Sequence, residues 1–308
     1  MKVVIIGNGG QSKKIQKILK RKNINYDIYK PKNKLLLDSE FYNKIKKFDI
    51  FFITSPNTTH FKYLKNLSKK YVFCEKPPVS KLSDLVKLKK MNSGKIYFNF
   101  NFRFSKIIDI LQLSRRYNLG QLLYGNIINS HGLAYKKDYK KNWRSNIKKN
   151  PLGIYETVQI HFIDLINFCF KIKKIDKPIL LNLSKLGTSY DTTHSKIYTE
   201  NNAVIDIFST YKSCLSTKKY FLFQNGSLEQ SNNSISIHGP AKNLNKKGFY
   251  KYPNLIKKFN ISNKKDFDRS LEKSVNFFIG HCKLKKKFNN NLFLKSISTN
   301  NYLLNYKF

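Results

Sequence analysis

Apolar residues follow two different rhythms along the 308-residue chain. Near the amino end, short β-branched and aromatic runs at 3–6, 25–29, 49–54, 71–74 and 96–100 predict buried strands. Between them, 11–21, 59–69 and 83–91 carry apolar residues at helical spacing and predict helices. Strand–helix alternation at this interval implies right-handed βαβ crossovers and a parallel, doubly wound sheet of Rossmann type. The stretch 105–117 predicts the helix that leaves this domain, and Asn118-Leu119-Gly120 supplies its stop signal.

Beyond Gly120 the pattern changes. Residues 122–130 predict a strand, a basic polar stretch runs to Asn150, and 153–170 predict a helix. Strand-like runs follow at 179–186, 195–199, 203–210, 219–223 and 234–238, with Asn225-Gly226 as a hairpin turn between two of them. Helices at 267–281 and 291–304 close the chain. The expected fold class is α/β: a Rossmann domain over 1–118, then an α+β domain over 119–308 with a mostly antiparallel open sheet.

Composition narrows the function classes. With 41% hydrophobic and 14% aromatic residues the chain has ample surface to bury, and no apolar run approaches the ~18 residues of a membrane span. Cys74, Cys169, Cys214 and Cys282 lie far apart with no CxxC pair, a reduced, cytoplasmic pattern without a disulfide framework or zinc cage. The net charge of +41 points towards nucleic acid. Yet only six of the 59 basic residues are arginine, and the lysines are spread throughout. They accompany an excess of Asn, Ile, Phe and Tyr, all with AT-rich codons, so the charge reads as coding bias on solvated faces. No nucleic-acid partner is expected.

Directly after the first strand comes Gly7-Asn8-Gly9-Gly10-Gln11-Ser12, a GxGxxG spacing with Ser12 in the third position, opening a helix. Gly7 permits the tight turn and Gly9 lets the backbone approach a pyrophosphate. The helix N-terminus offers unpaired N–H groups and about half a positive charge. Gly7, Gly9, Gly10, Gln11 and Ser12 are therefore candidate dinucleotide-binding residues, and Ser12 is expected to hold the helix slightly further from the sheet than glycine would. At the end of the second strand an NAD site usually carries an acid; Lys30 stands there instead and suits a 2′-phosphate, leaving NAD and NADP both open.

Residues 54–61 read Thr-Ser-Pro-Asn-Thr-Thr-His-Phe, and a helix later comes Tyr-Val-Phe-Cys-Glu-Lys-Pro-Pro. This resembles the Gfo/Idh/MocA oxidoreductases, with their TPNxxH turn after the third strand and EKP at the end of the fourth. The resemblance implies that Ser55, Pro56 and Asn57 form a rigid turn against NAD or NADP. His60 is either a cofactor-side residue or a structural cap. Lys76 is placed beside the nicotinamide and the substrate hydroxyl, where it can polarise a carbonyl. Glu75 orients that turn, and Asn101 and Arg103 of Asn-x-Arg-Phe face the cleft.

Trp143-Arg144 and the run from Leu152 to Asp164 resemble the family's WR and GGxxxDxGxHxxD segments. In a regular helix Thr157, His161 and Asp164, at i, i+4 and i+7, share one face, while Ile154, Val158, Phe162, Leu165 and Cys169 make an apolar one. The chain departs from the family where it matters: Thr157 replaces the usual aspartate, Glu156 stands one residue away, and Gln159 replaces a glycine. His161 is then the expected proton-transfer residue, since its pKa near 6.5 suits a base. Glu156 and Thr157 are its candidate helpers, and Lys76, Arg103, Trp143, Arg144, Thr157 and His161 are the candidate substrate contacts. No metal site is expected, because His161 and Asp164 lack a third ligand nearby.

The resemblance thus implies hydride transfer between NAD(P) and a carbinol or carbonyl carbon of a sugar, sugar nucleotide or cyclitol. The nicotinamide would lie within reach of Lys76 and His161. The missing aspartate favours instead a dinucleotide-binding sensor or scaffold of weak or no activity. The expected partners are a small-molecule substrate and further copies of the chain, through the open sheet that commonly mediates pairing in relatives, with no membrane.

Overall fold

The five apolar runs of the first hundred residues form one parallel sheet. In a computed structural model describing residues 1–30, 43, 45–91, 94–239, 244–249 and 251–305, these strands are β1 (Val3–Ile6), β2 (Tyr26–Tyr29), β3 (Ile50–Ile53), β4 (Tyr71–Glu75) and β5 (Ile96–Asn99). Their order is β2-β1-β3-β4-β5 and every neighbouring pair is parallel. Four of them are buried almost throughout, as near-continuous apolar runs demand of strands covered on both faces. β2 is the exception among the expected buried strands. It lies at the sheet edge, and its residues are exposed or half-buried.

The helices of this part are α1 (Gly10–Arg21), α2 (His60–Asn66, after a 3-10 turn at Asn57–Thr59) and α3 (Leu82–Lys89). Since the order reverses at β1, the carboxyl ends of β1 and β3 form the topological switch point, where ligands bind in open sheets of this kind.

α4 (Lys106–Gln112) ends the expected helix early. A 3-10 turn at Ser114–Tyr117 follows, and the chain then reverses through Asn118 and Gly120, both at positive φ. The second sheet contains β6 (Leu122–Ser130), β7 (Ile172–Ile175), β8 (Ile179–Leu181), β9 (Thr192–Thr199), β10 (Val204–Thr210), β11 (Ser216–Phe223), β12 (Gly226–Gln230), β13 (Ser234–His238) and β14 (Leu255–Asn260). Its order is β14-β13-β12-β11-β6-β10-β9-β7, with β8 beside β9. All its pairs are antiparallel except β10 with β6. Asn225-Gly226 does make a hairpin, but its second strand is β12, which the apolar pattern did not reveal. β7 and β14 escaped for the same reason: two lysines occupy the middle of each short strand.

The helix expected at 153–170 is two structures in series. Tyr155–Gln159 form a π-helical turn and α5 (Ile160–Cys169) continues as a regular helix. Gly153, at φ +58, admits the chain to this turn; a side chain there would overlap the Tyr190 carbonyl.

Two compact units result: Met1–Asn101 with Leu271–Phe308, and Phe102–Ser270. Their boundaries differ from the expected 118/119, chiefly because the last helices join the first unit. α6 (Asn263–Lys283) contributes Phe278, whose ring meets those of Phe52, Phe73 and Tyr97, at 5.2 Å from Phe52. From α7 (Asn290–Leu304), Phe293 packs on Phe98, and the Asn300 carbonyl accepts the Val79 N–H at 2.8 Å. A sheet buried on both faces needs such a cover, and the chain's end supplies it. Among the described residues no helix is long and apolar enough to cross a membrane.

Candidate active-site residues of each unit

In the first unit the phosphate turn has the expected shape. Gly7 sits at φ +107, and a Cβ on it would lie 3.0 Å from the Thr54 carbonyl and the Ser55 nitrogen. Gly9 and Gly10 face open space, so the backbone there can be approached closely. α1 begins without a side-chain cap and without an acid in its first turn, which leaves its N–H groups and positive dipole end unopposed. The Ser12 hydroxyl is buried and donates to the Gly7 carbonyl at 3.0 Å, so the serine ties the helix to the turn. Lys30 follows β2 directly and is exposed. These residues fit a dinucleotide's pyrophosphate and ribose.

His60 holds two signature turns together. Its ring is fully buried; Nδ1 lies 2.8 Å from the Pro77 carbonyl oxygen and Nε2 3.0 Å from that of Ser55. Burial lowers its pKa, the two carbonyls oppose that, and the Lys76 ammonium lowers it further. With both nitrogens engaged on backbone, His60 ties the turn at Ser55 to the turn at Pro77. The Thr59 hydroxyl donates to the Pro56 carbonyl at 2.7 Å, so the Ser55 hydroxyl, 2.7 Å from it, is the donor of that pair. Asn57 opens the 3-10 turn and is half-buried.

Glu75 is buried and accepts from Asn99 Nδ2 at 2.6 Å, and it bonds the side chain of Gln11 in the phosphate turn. Burial raises its pKa, against the pull of Asn99, Lys76 and Gln11. Glu75 thus connects β4, β5 and the glycine turn. Lys76 is half-buried at the carboxyl end of β4, and Asn101 is buried at this unit's edge.

In the second unit, His161 and Asp164 stand in the regular helix α5, and Thr157 in the π-turn before it. The wide π-turn changes the angular advance per residue, and the three side chains meet different partners. Asp164 and Arg103 form a buried bidentate pair, Nη2–Oδ1 at 2.6 Å and Nε–Oδ2 at 2.9 Å. The guanidinium also lies 5.3 Å from the Phe168 ring. Arg103 is therefore a bracket between the turn Asn101–Phe104 and α5. His161 is half-buried, its ring 4.9 Å from that of Phe102.

Thr157 is buried, and its hydroxyl donates to the Gly153 carbonyl at 2.9 Å. Having one proton, it must accept from Tyr211 Oη, 2.7 Å away. Arg144 in turn bonds Tyr211. The chain Arg144–Tyr211–Thr157–Gly153 ends on a backbone carbonyl, so the Thr157 proton is committed to Gly153. Burial raises the Tyr211 pKa; Arg144 opposes this and the buried Glu156 adds to it. Trp143 and Arg144 stand in a 3-10 turn, the guanidinium 4.5 Å from the indole ring. Gln159 is fully buried and donates to the Ile207 carbonyl at 3.2 Å, fastening the π-turn to β10.

Tyr211 was missed because one residue beyond a strand carries no periodic signal. Lys219 was missed although a signal existed: it shares strand parity with the apolar Phe221 and Phe223.

The sequence matches no protein-family model and no curated protein. The structure does match solved ones over nearly its whole length. An Agrobacterium radiobacter oxidoreductase in complex with NAD+, L-tartaric acid and magnesium is 13% identical, with a TM-score of 0.75 over 98% of this chain and 94% of that one. A levoglucosan dehydrogenase in complex with NADH and levoglucosan is 11% identical, with 0.76 over 98% and 95%. A myo-inositol 2-dehydrogenase from Lactobacillus plantarum is 14% identical, with 0.75 over 98% and 95%. The chain has the fold of the NAD(P)-dependent oxidoreductases of Gfo/Idh/MocA type.

Proposed function

We propose that the protein binds NAD or NADP and transfers a hydride to or from a carbinol or carbonyl carbon of a sugar, sugar nucleotide or cyclitol. The observation that carries this reading is the phosphate turn: Gly7 has no room for a side chain, Gly9 and Gly10 stand open, and α1 presents an uncapped N-terminus. When bound, the nicotinamide supplies the hydride acceptor or donor. Gly7, Gly9, Gly10, Gln11 and Ser12 hold the pyrophosphate; Lys30, Ser55, Pro56, Asn57 and Asn101 bind the ribose side. Glu75 and His60 keep the turns in place. Lys76 polarises the reacting oxygen, and His161 takes or returns its proton, a service worth about 10² to 10⁴ in rate. Glu156 assists, and Trp143 and Arg144 contact the substrate.

Four free cysteines fit a cytoplasmic protein. The open face of the second sheet, exposing Ile128, Phe208, Tyr220 and Leu222, supports a homo-oligomer. The test is nicotinamide absorbance with a panel of sugars, sugar nucleotides and cyclitols, comparing wild type with Lys76→Ala. Turnover lost in the variant supports the proposal; no turnover in either protein sinks it. A second reading, a dinucleotide-binding sensor or scaffold, is favoured by the Thr157 hydroxyl ending on the Gly153 carbonyl. A cofactor-dependent thermal shift without turnover selects it.

A further inference from the structure

Among the described residues Lys219 is the only buried lysine of a very lysine-rich chain, 5% exposed. It stands on β11 between Ile127 of β6 and Gln230 of β12, with its side chain on the covered face of the sheet. Nζ donates to Gln230 Oε1 at 2.5 Å and lies 6.0 Å from the Phe102 ring and 5.9 Å from that of Phe162 on α5. Asp266, in the first turn of α6, is the carboxylate that acts on it, and Asp266 is also engaged by the Lys106 N–H at 3.0 Å. Two aromatic faces and an amide are an unusual seat for an ammonium group, since desolvation is only partly offset by cation–π attraction.

The same Phe102 ring packs against His161, centroid to centroid at 4.9 Å. We propose that Lys219 is a positioning residue for proton transfer: its buried charge, acting across the Phe102 ring, disfavours a second positive charge on His161 and keeps that imidazole in its neutral form. The other charged groups nearby include Asp266 beside Lys219, the buried Glu156 in the π-turn that leads into α5, and the Arg103–Asp164 pair one turn along α5. That pair neutralises itself by direct contact. Burial lowers the Lys219 pKa to about 8, so the group carries its charge across the range in which a histidine titrates. At a separation of about 10 Å and an effective dielectric constant of about 20, one charge shifts a neighbour's pKa by about one unit.

The catalytic consequence rests on His161 being the proton-transfer residue; the electrostatic coupling does not. The experiment is an NMR titration of the His161 ring in wild type, Lys219→Met and Lys219→Gln, with the signal assigned by loss in His161→Gln. Lys219→Gln keeps a donor for Gln230 and serves where Lys219→Met does not fold. Alongside, kcat/KM is measured against pH for each protein. A His161 pKa higher by about one unit in the variants, with the acid limb of the rate profile moved by the same amount, supports the proposal. A raised pKa with an unmoved limb, or with no turnover, upholds the coupling and overturns the role of His161. A His161 pKa unchanged in both folded variants overturns the proposal.

Discussion

Tyr211 donates its hydroxyl proton to Thr157, 2.7 Å away, so the threonine hydroxyl has a neutral polar partner at this point of the π-turn. The bond stabilises the entry to the π-turn and holds no charge. Tyr211→Phe is expected to cost about 1 kcal/mol of stability in chemical denaturation, and Thr157→Val a similar amount. The double variant should cost less than the two singles together, because each single change already removes the shared bond.

Arg103 and Asp164 make the opposite case, a fully charged pair in the interior. Removing one partner, as in Arg103→Leu, leaves the other charge unmatched and is expected to destabilise by about 3–5 kcal/mol. Replacing both by apolar residues of similar size should recover most of that loss. Denaturant midpoints of the two singles and the double, at constant slope, decide it.

His60 gives the stability a dependence on pH. Its folded pKa is lowered below 6.5, chiefly by burial, so the unfolded chain binds the extra proton more readily. Its contribution is therefore fully present above pH 6.5 and is lost as pH falls from there through the folded pKa. His60→Gln should flatten this part of the stability profile. It should also weaken cofactor binding, since the turns at Ser55 and Pro77 lose their common tether. Melting temperature against pH, with a cofactor titration at pH 7.5, measures both.

Much of this was legible in one dimension. The glycine turn and the boundaries of β1, β6 and β13 follow from local pattern, because buried strands and tight turns restrict residue type position by position. The partners of Thr157, Arg103 and Lys219 were not legible. Thr157 meets Tyr211 54 residues away, Arg103 meets Asp164 61 residues away, and Lys219 meets Gln230 on the neighbouring strand, while the π-turn altered the helical phase from which the direction of Thr157 was derived. A five-residue turn in place of a four-residue one moves a side chain to another neighbour without leaving a compositional trace.

Glu75 behaves in the sense opposite to most carboxylates. Burial raises its folded pKa, so its protonated form is the more stable one. The stability it contributes is present at low pH and declines as pH rises from about 4.5 through the folded value. Glu75→Gln preserves an acceptor for Asn99 and removes the buried charge. The variant is expected to melt about 2–4 °C higher at pH 7.5, with a smaller gain at pH 4.5. Calorimetry at the two pH values tests this.

The first sheet is roofed by Phe278 and Phe293, residues that a ribosome adds only after the whole of the second unit. At about 5–20 residues per second, the strands made first wait on the order of ten seconds or more for their cover. During that interval Phe52, Phe73 and Tyr97 are open to solvent and to other nascent chains. A chain stopped at Ser270 would keep them so permanently. The first sheet is thus translated before the second unit but finished after it, and holdase chaperones have their opportunity there.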